Sequence, residues 1–99
     1  MIVVAGSITL HPERLSEAFE RAAVVADATR SEAGCISYTF FRHLERDDAF
    51  FVFEEWEARE HLDAHLAAPH TAAFSAFLGE AMAAPPKLRV YEVARAGSL

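Results

Sequence analysis

Apolar and polar residues along the chain switch between two periods, and the switches mark out the elements. From Ile2 to Leu10 the residues alternate, with Val3, Ala5, Ser7 and Thr9 on one face and Ile2, Val4, Gly6, Ile8 and Leu10 on the other. That is the period of a β-strand. At Pro12 the period becomes helical: Pro12 suits a first helical position and Glu13 suits the positive end of a helix dipole. A helix from Pro12 to Glu32 places Leu15, Ala18, Phe19, Ala22, Ala26 and Thr29 inside. Glu13, Glu17, Glu20, Arg21 and Asp27 take its outer side, and Gly34 is its stop. A second strand, Cys35 to His43, is rich in Ile, Tyr, Thr and Phe. The polar stretch Glu45-Arg46-Asp47-Asp48 then predicts a hairpin loop into a third strand, Phe50 to Trp56. Beyond it, Leu62, Leu66, Phe74, Phe77 and Leu78 recur at helical spacing. They predict a second helix from Ala58 to Met82, interrupted or re-angled at Pro69. Pro85 and Pro86 end a stiff connector, Lys87 to Arg95 forms the fourth strand, and residues 96–99 make a frayed tail.

The order β-α-β-β-α-β is the ferredoxin-like split arrangement, an α+β fold with a four-stranded antiparallel sheet. A chain of 99 residues makes one such domain, 1–99. Two helices cover one sheet face, yet the third strand is apolar on both: Phe51 and Phe53 oppose Phe50, Val52 and Trp56. The uncovered apolar face predicts a homodimer packed sheet against sheet.

Composition narrows the partners. Hydrophobic residues make up 53% of the chain and eight are Phe, so a core is within reach and apolar surface remains. Nine basic residues stand against fifteen acidic ones, a net charge of −6, with Lys87 the only lysine. With no basic stripe, neither nucleic acid nor an anionic membrane is an expected partner. No apolar run spans a bilayer and no signal peptide is visible. The single cysteine, Cys35, excludes an internal disulfide, which fits a cytoplasmic protein.

Candidate chemistry concentrates in Phe50 to Phe77, which holds Glu54, Trp56, His61, His65 and His70. His65 shares a helical face with Leu62 and Leu66 and points toward the sheet, where it is either a hydrogen-bonded core residue or a base whose ordinary pKa suits a phenolic proton. Trp56 can stack on a flat substrate or simply fill the core. Glu54, on the same strand face, can orient a histidine or cap a helix end, and Tyr38 can bond a substrate oxygen or fill the sheet. Glu57, His61 and His65 are spaced four apart, a spacing that can hold a metal, but His61 falls at the solvated boundary. Cys35 lacks a basic neighbour and reads as an inert thiol. There is no Gly-rich phosphate loop.

Four segments resemble the antibiotic biosynthesis monooxygenase domain of the dimeric α/β-barrel group. They are Glu32-Ala33-Gly34-Cys35-Ile36-Ser37-Tyr38, Phe53-Glu54-Glu55-Trp56, His61-Leu62-Asp63-Ala64-His65-Leu66 and Pro69-His70-Thr71-Ala72-Ala73-Phe74. The likeness covers nearly the whole chain in the family's order and is nearest to its quinol monooxygenase branch. The resemblance implies a homodimeric, cofactor-free oxygenase acting on a phenolic or quinol-type aromatic with molecular oxygen. It implies His65 as the catalytic base, Tyr38, Glu54, Trp56, His70 and Phe74 as substrate-binding residues, and no bound cofactor or metal. Haem-degrading members resemble one another in an Asn, a Trp and a haem-ligating His at positions that here hold Gly6, His65 and Ser75, so haem is not expected. Two other activities of the fold stay open: an isomerase of a small phosphorylated signal molecule, for which Lys87 and Arg89 are the available cations, and a non-catalytic ligand-binding or stress-response module.

Overall fold

The computed structural model describes Met1–Leu99. Its elements are β1 (Ile2–Thr9), a short 3-10 turn (Pro12–Arg14), α1 (Leu15–Arg30), β2 (Cys35–Arg42), β3 (Ala49–Trp56), α2 (Arg59–Leu66), α3 (Pro69–Ala81) and β4 (Lys87–Glu92). All four strands pair antiparallel in the spatial order β2-β3-β1-β4. This is the expected ferredoxin-like sheet, with its second helical segment divided.

The divisions have local causes. Pro12 begins the 3-10 turn, and Arg14, at φ −106 and ψ 0, separates that turn from α1. Ala68 is extended at φ −71 and ψ 146, as a residue before proline prefers, so α2 stops and Pro69 opens α3. Gly34 takes φ +77, and its α-carbon faces the His61 ring, so a side chain there would meet that ring. β4 ends at Glu92, short of the expected Arg95, once Val93 N–H has bonded to the Met1 carbonyl.

One sheet face is closed by the helices. Ile2, Val4 and Ile8 of β1 meet Phe50, Val52 and Trp56 of β3 and Tyr38 of β2, all buried. Ala18, Ala22 and Ala26 line α1 toward them, and these small side chains let the helix sit close to the sheet. Phe74 and Phe77 of α3 complete the layer. Each large side chain fully buried here contributes roughly 1.5–3 kcal/mol. Val25 joins this inner face, which the sequence pattern did not include. The other sheet face carries Val3, Ala5, Phe41, Phe51, Phe53 and Tyr91, partly covered or exposed in the single chain. Leu66 departs from expectation. It is 57% exposed, because α2 is eight residues long and its one inward stripe is filled by Leu62 and His65.

Candidate functional site

The inward stripe of α2 sets His65 at the end of the closed layer, 2% exposed. Its ring lies 4.9 Å from Trp56, tilted by 34°, and 5.4 Å from Tyr38. Both neighbours come from strands: Trp56 ends β3, and Tyr38 sits in β2 opposite Glu54. The turn after α1, closed by Gly34, carries Glu32 to the same place. Glu32 Oε2 stands 2.8 Å from His65 Nδ1 and 2.9 Å from His70 Nε2. As a carboxylate Glu32 has no proton to give, so each histidine donates to it. For a neutral His65 this fixes the proton on Nδ1 and leaves the Nε2 lone pair available. The Thr71 hydroxyl lies 3.3 Å from the same Nδ1.

Glu54 is 6% exposed and accepts a 3.0 Å hydrogen bond from Trp56 Nε1. It therefore orients the tryptophan, and Glu32 is the carboxylate that orients the histidines. Burial pushes the Glu54 pKa up to about 7; the nearby Glu32 charge adds to this and the Trp56 N–H opposes it. Burial likewise raises the Tyr38 phenol far above its ordinary value, with Glu54 and Glu32 adding to it, so it remains a proton donor. The Cys35 thiol is raised by burial and by the same two carboxylates, as befits an inert thiol.

Of the residues singled out from the sequence, Tyr38, Trp56, His65 and His70 gather around Glu32. Glu54 joins through Trp56. Phe74 lies apart from the rings of His65, against Phe40 and Phe77. Only His70 and Phe74 line open space, a cavity of about 290 Å³ between α1 and α3 that also touches Arg21, Val24, Val25 and Ala73. No open pocket surrounds His65; it belongs to a packed, hydrogen-bonded array that reaches this cavity through His70. The i, i+4 metal set is not formed. Glu57 precedes α2, and the His61 ring packs on Gly34 instead of standing free in solvent. The ligand-bearing group that does form is Glu32, His65 and His70, whose donor atoms all lie within 4.8 Å of one another. Glu32 and Thr71 were missed as site residues, although both lie inside the quoted motifs. Only the tertiary fold shows that a residue 33 positions before His65 is its partner.

The family model for antibiotic biosynthesis monooxygenase matches residues 1–76. The chain belongs to this family. All four motif segments fall inside the matched span. The uncharacterized protein sll1783 of Synechocystis sp. is 34% identical over 98 residues, covering 99% of this chain and 67% of that protein. The Mycobacterium tuberculosis protein Rv0793 is 25% identical with TM-score 0.91, over 98% of each chain. A Deinococcus radiodurans crystal structure shares the fold at TM-score 0.92 and 24% identity, over 100% of this chain and 98% of that one. A side chain at Gly6 would meet the Lys87 carbonyl and the Leu88 α-carbon of the paired strand. No helix is long and apolar enough to cross a membrane.

Proposed function

We propose that the chain is a monooxygenase that oxidises a small phenolic or quinol-type aromatic with molecular oxygen, without a bound redox cofactor, as a cytoplasmic homodimer. The family supports the monooxygenase class. The observation that carries the finer reading is the His65–Glu32–His70 array. A single-ring substrate suits the cavity beside His70 and Phe74, whose volume is near the low end for small-molecule sites. Its hydroxyl proton enters the imidazole array at His70, the member that borders the cavity, and Glu32 links that histidine to His65. The resulting electron-rich anion reduces oxygen directly. The protein contributes orientation, exclusion of water and the proton acceptor. The sheet face bearing Phe41, Phe51 and Phe53 supports the dimer, because a second copy is the simplest cover for it.

Oxygen uptake measured against a panel of hydroquinones and anthrones tests the activity. Consumption that requires the folded protein and one class of phenol is expected; no uptake with any of them rejects the reading. Sedimentation at micromolar concentration is expected to show a dimer, and a stable folded monomer would remove the second copy from the account.

A further inference from the structure

We propose that Glu32, His65 and His70 form a binding site for one divalent transition-metal ion of the zinc type. The site goes beyond the oxygenase reading and does not depend on it. Three structural elements each supply one donor: the turn after α1, α2, and the first turn of α3. The donors are Glu32 Oε2, His65 Nδ1 and His70 Nε2. Two imidazoles and one carboxylate form the set that zinc takes where it keeps an open coordination position. Imidazole donors favour zinc, cobalt and nickel over calcium or magnesium, which take oxygen ligands.

The geometry is close to what an ion needs. The two nitrogens stand 2.8 and 2.9 Å from the shared carboxylate oxygen, at hydrogen-bond length. Ligands about 2.0–2.1 Å from a tetrahedral zinc stand about 3.3 Å apart, so each nitrogen moves about 0.5 Å further from the carboxylate oxygen on loading, and the two nitrogens start within 4.8 Å of each other. His65 is held between Trp56 and Tyr38 and serves as the fixed donor. His70 is 29% exposed and Glu32 18%, so these two make the adjustment. His70 borders the cavity between α1 and α3, which gives the ion a way in, and the Thr71 hydroxyl beside Nδ1 is a further oxygen. Loading has a consequence for His65. A metal on Nδ1 moves the ring proton of a neutral imidazole to Nε2, so the loaded protein has no base there. The ion is thus an occupant that competes with acid–base work at His65 and takes no part in it.

The test uses the full chain stripped with EDTA and titrated with zinc chloride alone, and separately with cobalt(II) chloride for its visible absorption. The expected result is one zinc per chain at micromolar concentration and a cobalt spectrum of low coordination number. His70→Ala is expected to weaken zinc binding by at least the ~10–100-fold that losing an outer hydrogen-bond partner of a metal ligand costs. Glu32→Gln is expected to do the same. His61→Ala is expected to bind as the parent does. Circular dichroism and a melt accompany each variant; if Glu32→Gln does not fold, His70→Ala decides. No stoichiometric binding, or binding unchanged in folded His70→Ala, overturns the site. Loss in His61→Ala with retention in His70→Ala overturns it in favour of the helix-spaced pair.

Discussion

The two ends of the helix-covered layer use similar ring packing for different ends. At one end Phe19, Phe40, Phe50, Phe74 and Phe77 meet at centroid distances of 4.9 to 6.3 Å. At the other, His65 meets Trp56 and Tyr38 at 4.9 and 5.4 Å. The phenylalanine end has no side-chain donors or acceptors to satisfy, so each ring contributes burial and can be judged singly. The histidine end carries N–H and O–H groups, and burying them drew in Glu32, Glu54 and Thr71 as partners. Removing one member there strands another, because a buried polar group without its partner costs the desolvation that its bond had offset. A truncation at the first end therefore reads burial alone, and acid–base capacity sits at the second.

The largest expected effect breaks the layer at its histidine end. His65→Ala is expected to lower turnover by about 10²–10⁴-fold, the usual contribution of a positioned base, equivalent to about 3–5 kcal/mol of barrier. Phe50→Ala, in the phenylalanine end, is expected to cost about 3–5 kcal/mol of folding stability. That corresponds to a melting point lower by about 4–8 °C for each kcal/mol in a domain of this size. Turnover per folded molecule should survive Phe50→Ala, measured well below its melting point. Equal losses of turnover per folded molecule at both positions would erase the distinction between the two ends.

The phenylalanine end was legible in the sequence and much of the histidine end was not. Alternation placed Phe50, Val52, Glu54 and Trp56 on one face of β3, and the structure buries all four. Helical spacing placed Ala18, Ala22 and Ala26 inside α1 correctly. Periodicity reports which way a side chain points, and apolar packing follows from direction alone. A hydrogen bond also needs a partner, and here the partner is distant in sequence. Glu32 stands 33 residues from His65 and 38 from His70. Leu66 and the Glu57–His61–His65 spacing fail for local reasons: Leu62 and His65 fill the one inward stripe of α2, and Glu57 lies before its first residue, Arg59. Gly34 was read correctly as a stop, but its second task, making room for the His61 ring, is visible only in three dimensions.

The smallest expected effect concerns Glu54, which is both buried and titratable. Its folded-state pKa is raised from an ordinary value of 4.5 to about 7, first by burial. Between those values the folded chain holds a proton that the unfolded chain has released. Stability therefore falls as pH rises: the contribution is complete below about pH 4.5 and is lost through about pH 7. Each pH unit between the two titrations is worth about 1.4 kcal/mol, so the loss is bounded near ~3 kcal/mol. Glu54→Gln keeps a carbonyl oxygen for Trp56 Nε1 and cannot ionise, so its stability should lack this component. Subtracting one curve from the other removes whatever pH dependence the two proteins share. Urea unfolding from pH 4.5 to pH 8 measures it through the midpoint at constant slope. The parent should lose stability relative to Glu54→Gln as pH rises, with the difference levelling above about pH 7. Parallel curves across the whole window would mean that Glu54 ionises freely in the folded protein, and that the histidine end is wetter than its packing shows.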